Sequence, residues 1–257
     1  MTVVTIKQAG AVEVMSSGDW HVGSAETDYK ALEKSVDTAV QEDMDVVLLG
    51  DILDTPTRTA LTSPWEQSMS PREAYRYADN LLKKLQEKRR RVRCGVLGNH
   101  PWRVEKDSGL NPEENLYESN GIVSLRFSGV VHYILSDHNG GSVLYLHHTA
   151  RGGRRAGAGV NAAEDLTDIV EAADVYCAGH SHRLGSVPIQ RYHLYSSKKG
   201  DEMRARTAYL VNCGSFLKYE EGYGEQKQMA PLPIGTPIIT LPDRRDREQI
   251  QVELRMW

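Results

Sequence analysis

Five apolar runs in this chain each end in a short cluster of aspartate, asparagine and histidine. The clusters are Asp19-Trp20-His21, Gly50-Asp51-Ile52-Leu53-Asp54, Gly98-Asn99-His100, His147-His148 and Gly179-His180-Ser181-His182. Six of the nine histidines fall inside them, a concentration that packing alone would not produce. Asp19, Asp51, Asn99, His147 and His180 are separated by 32, 48, 48 and 33 residues. A strand–helix–strand unit needs roughly 30 residues. Each cluster can therefore lie at the carboxyl end of a different strand, along the rim where ligand sites of open α/β sheets form.

The stretches between the clusters support that arrangement. Val12–Met15, Asp45–Leu49, Val92–Leu97 and Asp174–Ala178 are short apolar runs and read as buried strands. Ala25–Gln41 carries Ala31, Leu32, Val36, Ala39 and Val40 at helical spacing. Ser70-Pro71-Arg72-Glu73 combines an N-cap, a proline at the first helical position and a capping-box glutamate, predicting a helix to about Arg91. Asn111-Pro112-Glu113-Glu114 repeats that start, and Gly121 suits its stop. A third helix is expected to open at Asn161. Residues 122–135 and 143–146 read as strands about the turn Asn139-Gly140-Gly141. Further strands are expected at Ser186–Tyr195, Thr207–Asn212, Thr236–Leu241 and Gln249–Arg255. Residues 55–69 lack periodicity, and a loop of that length commonly covers a site.

Nothing in the composition marks a boundary, so residues 1–257 read as one α/β domain. A net charge of −4 argues against a wholly electrostatic nucleic-acid binder. Cys94, Cys177 and Cys213 are odd in number and widely spaced. This speaks against a disulfide framework and for a reducing compartment. The first ten residues lack a signal-peptide pattern, and no segment approaches the ~20 apolar residues of a membrane span. A cytoplasmic protein is expected.

Carboxylate, imidazole and amide oxygen are donors that divalent cations accept. Asp19 and His21 are alternate residues and project to one side of an extended segment, as do His180 and His182. Asp51 suits a bridging role because its two oxygens can reach two cations. Asn99 adds a neutral oxygen that limits negative charge. Glycines before Asp51, Asn99 and His180 suit tight turns. Two cations ~3.5–4 Å apart can clamp the attacking and leaving oxygens of a displacement at phosphorus and acidify a water. A carboxylate at Asp54 would fix the tautomer of His100 and raise its basicity, although Asp54 also suits a helix cap.

Taken in order, Asp-x-His, Gly-Asp-x-x-Asp, Gly-Asn-His, a histidine after a strand, and Gly-His-x-His over residues 19–182 resemble the calcineurin-like metallophosphoesterases. The resemblance implies a four-layer αββα sandwich of two mixed β-sheets flanked by helices. It implies two divalent metal ions, expected to be Mn²⁺, with Fe, Zn²⁺ or Ni²⁺ also suited to nitrogen and oxygen donors. One would be held by Asp19, His21, Asp51 and His182, the other by Asp51, Asn99, His147 and His180. His100, oriented by Asp54, would protonate or stabilise the leaving oxygen. The third motif departs from the family in reading Gly98-Asn99-His100-Pro101, where an acid usually ends it. The fourth is doubled; His147 is assigned because it directly follows Val143–Leu146, although an alternating strand accommodates either residue.

The expected reaction is phosphate-ester hydrolysis by metal-activated hydroxide. The reading leans toward a phosphodiesterase or nuclease acting on a nucleic-acid strand or nucleotide. Arg151, Arg154 and Arg155, in the loop after His147-His148, are the candidate phosphate-gripping residues, with Arg58 and Arg103 as weaker ones. Trp20, Trp65 and Trp102 lie near the motifs and suit stacking, although core packing is the default. A phosphomonoesterase, including a protein phosphatase, is the first alternative. A non-catalytic scaffold with this fold is the second, and it would predict a lost ligand where none is lost.

Overall fold

The computed structural model describes residues 1–257 apart from 58–66, 136–140, 150, 154, 156, 198–199, 221 and 244–248. Its strands are β1 (Thr2–Gln8), β2 (Val12–Ser17), β3 (Asp45–Leu48), β4 (Val92–Gly95), β5 (Val123–Ser124), β6 (Ser128–Leu135), β7 (Ser142–His147), β8 (Val175–Ala178), β9 (Leu184–Ser197), β10 (Gly200–Cys213), β11 (Gly235–Leu241) and β12 (Gln251–Met256). The helices are α1 (Tyr29–Gln41), α2 (Pro71–Gln86), α3 (Asn99–Ser108), α4 (Pro112–Ser119), α5 (Ala158–Asp165) and α6 (Tyr223–Gln226).

Two six-stranded mixed sheets form, in the orders β1-β6-β7-β8-β10-β9 and β12-β11-β2-β3-β4-β5. Strand alternation places one set of side chains between the sheets and the other against helices. Val47 and Leu49 of the β3 run, Leu144 and Leu146 of β7, and Val175 and Cys177 of β8 pack in the inter-sheet core. Val46 and Leu48 turn outward to join α1 and α2 residues such as Leu32, Val36, Ala78 and Leu82. Tyr145 and Tyr176 turn outward on the other sheet to meet Ala163 of α5. The result is the four-layer sandwich, helices outside and sheets within. Cys94, Cys177 and Cys213 are buried free thiols.

The predicted helix starts are realised by their caps. Ser70 Oγ accepts from Glu73 N–H at 3.3 Å while Glu73 Oε2 accepts from Ser70 N–H at 2.9 Å. Asn111 Oδ1 accepts from the Glu113 and Glu114 N–H groups. Other boundaries move. The helix after the first cluster begins at Tyr29, capped by Asp28, and α5 begins at Ala158 rather than Asn161. The run 122–135 divides between the sheets, β5 in one and β6 in the other. The crossing occurs at Arg126, whose φ of 55° breaks the extended run without a glycine or proline to mark it. β9 and β10 extend to 14 residues each as one antiparallel ribbon.

Leu144 is fully buried between the sheets, whereas Leu194 on the β9–β10 ribbon is 66% exposed. Leu144→Ala should therefore destabilise the fold by about 2–5 kcal/mol, and Leu194→Ala should stay within about 0.5 kcal/mol. Denaturant unfolding curves check both.

Candidate metal centre

The carboxyl ends of β2, β3, β4, β7 and β8 meet at one rim, and the five clusters meet with them. Asp19 N–H donates to Gly50 O at 2.9 Å, His21 N–H to Asp51 O at 3.0 Å, and Gly179 N–H to His147 O at 3.1 Å. Asp19, His21, Asp51, His180 and His182 all have φ between 48° and 72°. Such backbone strain in non-glycine residues persists only where surrounding structure enforces it, and it gathers at functional sites. Gly98 shows why a glycine precedes Asn99: a Cβ there would lie 1.9 Å from Asp51 Oδ1.

Three donor groups result, two at the rim and a third, His21, Asp54 and His100, beside them. In the first, donor atoms of Asp19, His21 and His182 all lie within 4.8 Å of one another. His21 Nε2 stands 3.1 Å from His182 Nε2, and Asp19 Oδ1 lies 3.5 Å from the latter. That oxygen is buried and has no hydrogen-bond partner. The other Asp19 oxygen accepts from His180 N–H at 2.9 Å and from Cys213 Sγ–H at 3.2 Å. The second group joins Asp51, His148 and His180. His148 Nε2 is 3.3 Å from Asp51 Oδ2. The Asn99 amide stands between the rings, its Oδ1 2.9 Å from His148 Nε2 and 2.7 Å from His180 Nδ1. With the amide reversed, its N–H₂ would donate to both imidazoles and its oxygen would accept from Arg103. The orientation with oxygen inward is the one in which all four groups present lone pairs to a common cation.

The charges fit cations as well. Burial would raise the Asp51 carboxyl, but His148 and His100 beside it carry it well below the usual carboxylate range. Asp19 is lowered likewise, against its burial, by His182 and His21. Burial would lower His148, yet Asp51 and Asp19 lift it to about 9. Burial also opposes the charging of His21, which Asp19 and Asp54 raise well above its ordinary value. His182 is driven down to about 4, chiefly by burial, and His180 is lowered by burial and by His148. The carboxylates thus draw positive charge into a buried rim, while His180 and His182 keep lone pairs free. A divalent cation in each of the two rim groups would satisfy the orphaned Asp19 oxygen and the facing imidazoles, taking the place of the protons that the carboxylates draw onto His21 and His148.

Beside these groups, Asp54 Oδ1 lies 3.0 Å from His100 Nδ1 and 3.2 Å from His21 Nδ1. Asp54 Oδ2 accepts from Gln67 Nε2 at 2.7 Å. Burial is outweighed by His100 and His21, and the carboxyl is held far below its usual range. His100 Nε2 stands 3.9 Å from Asp51 Oδ2. Asn99 and His100 open α3, and Pro101 fits its first turn.

Three sequence expectations are corrected. The histidine that enters the rim is His148, not His147. Leu144 and Leu146 face the inter-sheet core, so alternation carries His148 inward, where Nδ1 meets Leu49 O at 2.7 Å. His147 follows Tyr145 onto the other face. Arg151 pairs with Asp165 on α5. Neither it nor the exposed Arg155 lines the cavity of about 320 Å³ over the rim, which Gly152 and Gly153 line instead. Arg154, Arg58 and Trp65 lie outside the described residues. Arg103 and Arg183 do line the cavity. Trp20 is buried with Nε1–H donating to Ser17 Oγ at 2.8 Å, and Trp102 packs against Phe127.

The residue that sequence reading missed is Glu113. It is fully buried. Its Oε1 accepts from Ile52 N–H at 3.0 Å and Tyr117 O–H at 3.1 Å, and its Oε2 from Gly98 N–H at 2.9 Å. One carboxyl therefore ties the Asp51 loop to the Asn99 loop. Burial first, then Asp51, raises its pKa to about 7.

The sequence matches the profile of the calcineurin-like phosphoesterases over residues 14–184. Curated proteins returned no match. Among solved structures, YfcE, a phosphoesterase from E. coli, aligns over 94% of this chain and 98% of its own, at 17% identity and a TM-score of 0.43. GAP50, the anchor in the inner membrane complex of Plasmodium, aligns over 96% of this chain and 85% of its own, at 12% identity and a TM-score of 0.48. Among the described residues, no helix is long and apolar enough to cross a membrane.

Two predictions follow from the rim. His148→Ala should lower bound Mn²⁺ by about one equivalent by elemental analysis, since it removes one direct donor, whereas His147→Ala should retain it. Glu113 binds its proton more tightly folded than unfolded. Its titration therefore stabilises the fold fully below about pH 4.5, and that contribution is lost as pH rises through about 7. In metal-free protein, the stability of wild type relative to Glu113→Gln should fall between pH 4.5 and 8 by about 3 kcal/mol, as read by denaturant unfolding.

Proposed function

The chain belongs to the calcineurin-like phosphoesterase family, a family of metal-dependent phosphoester hydrolases, and on that premise we propose that it hydrolyses small phosphodiesters. The observation that carries the reading is the convergence of the Asp19–His21–His182 and Asp51–His148–His180 donor groups beside a His100 held by Asp54. Two divalent cations, when bound, supply Lewis-acid stabilisation of phosphoryl oxygens and acidify water.

The protein's own groups would then act as follows. Asp19, His21 and His182 hold one cation, and Asn99, His148 and His180 the other. Asp51 has one oxygen accepting from His100 N–H at 2.9 Å and the other facing His148, which suits a carboxylate shared between the two. His100 Nδ1–H donates to Asp54, and when the ring is doubly protonated the second proton sits on Nε2, from which it can pass to the departing oxygen. Asp54, braced by Gln67 and His21, keeps that tautomer and ring position. Arg103 and Arg183 at the cavity wall bring guanidinium donors to the phosphoryl oxygens.

Arg151 is paired with Asp165, and a small substrate suits the cavity of about 320 Å³. Two lining guanidiniums also suit a dianion, which keeps a phosphomonoester as the second reading. Hydrolysis of bis-p-nitrophenyl phosphate against p-nitrophenyl phosphate with Mn²⁺, using Asp51→Asn as the blank, separates the two. A diester preference is expected, and a monoester preference would move the reading to a phosphatase. His100→Ala should lower kcat by about 10²–10⁴-fold on an ester with a poor leaving group and by less on a p-nitrophenyl ester.

A further inference from the structure

Beyond β10 the chain returns to the cavity in a segment outside the residues that match the family profile. Phe216 is buried, its N–H donates to Asp19 O at 3.3 Å and its carbonyl accepts from Asp28 N–H at 2.7 Å. Leu217 pairs with Thr27 in an antiparallel bridge, and Lys218 N–H donates to Glu26 O at 2.8 Å. The segment is thus fastened to the same stretch of backbone that carries Asp19 and His21. From there Leu217, Tyr219, Met229 and Leu232 line the cavity, each only half-buried. The same cavity is lined by His100, Arg103, His180 and His182, and by Glu26 and Lys218. Its lining therefore combines groups that suit a phosphoryl group with apolar side chains that suit a hydrocarbon surface. Apolar side chains left partly wet in a concave site gain by covering with a ligand's apolar surface.

We propose that Leu217, Tyr219, Met229 and Leu232 form a recognition wall for an apolar or aromatic substituent of the phosphate ester. The substrate class is then a compact ester whose organic part carries an aryl, heteroaryl or hydrocarbon group, not a bare sugar phosphate or a nucleic-acid strand. A planar base and a simple aryl group share the chemistry that this wall reads. The inference rests on the phosphoesterase reading above and narrows it.

The test is calorimetric binding of phenylphosphonate and methylphosphonate to the Mn²⁺-loaded protein, neither of which needs turnover. Phenylphosphonate should bind about tenfold more tightly, as expected for covering one ring. Leu217→Ala and Met229→Ala should each cut that ratio about threefold, and together bring it near one. Adenosine 5′-phosphonate against ribose 5-phosphonate repeats the comparison for a base. A higher ratio for that pair would identify the substituent as a nucleobase, and a higher ratio for the phenyl pair as a simple aryl group. Equal binding within both pairs, with ester hydrolysis intact, overturns the wall and leaves the phosphoesterase reading standing. A ratio unmoved by both substitutions also overturns it. No phosphonate binding together with no hydrolysis of any phosphate ester overturns the phosphoesterase reading, and the wall with it.

Discussion

Asp19, Asp51 and Asp54 are all buried at one rim of the sandwich, and carboxylates can be buried only where positive charge and hydrogen-bond donors meet them. Much of the local structure answers that need. His21, His100 and His148 stand against these carboxylates. Backbone N–H groups of His100 and His180 donate into them. Gly98 allows the Asn99 loop to approach Asp51 closely. What the protein groups do not answer is the buried Asp19 Oδ1 and the inward lone pairs of His180 and His182. Those are the features that a cation completes.

The same constraint accounts for the strained backbone. Five rim residues take positive φ although none is glycine. Each must turn its side chain inward directly after a strand whose last residues are packed between sheets or against helices. The cost is met by the surrounding sandwich, in which Leu49, Leu97 and Ala178 leave the chain little freedom before each turn. Glu113 adds a buried tie between two of those turns. The rim is therefore held by buried contacts on both sides of each turn, as a site that positions donors needs to be.

Much of this was legible in the sequence, because motif spacing reports on the rim directly. Asp19, His21, Asp51, Asn99, His180 and His182 converge as the spacing suggested. At the doubled histidine, adjacency to the strand points to His147, but parity decides: Leu144 and Leu146 alternate with Tyr145, and parity leads to His148. Glu113 carried a helix-start signature that hid its tertiary role, since its partners Ile52 and Gly98 are 61 and 15 residues away. The division of residues 122–135 between two sheets falls at residues 125–128, where no glycine or proline announces it. Arg151 could not be placed from sequence, because Asp165 competes for it on a helix whose start was itself displaced. Neither could the wall at 217–232, whose apolar residues lack strand or helix periodicity and make sense only beside the rim.

Charge, shape and chemistry meet in the cavity. Guanidinium groups, imidazoles and apolar side chains line the same cavity, which on the proposed function would select a substrate at both its phosphorus and its organic end. On this reading the rim would hold two cations through two distinct donor groups. Anomalous diffraction at the manganese edge from Mn²⁺-soaked crystals tests it most directly. Two peaks ~3.5–4 Å apart are predicted, one within bonding distance of Asp19, His21 and His182, the other of Asn99, His148 and His180. A single peak, or a peak bound by His147, would contradict the account.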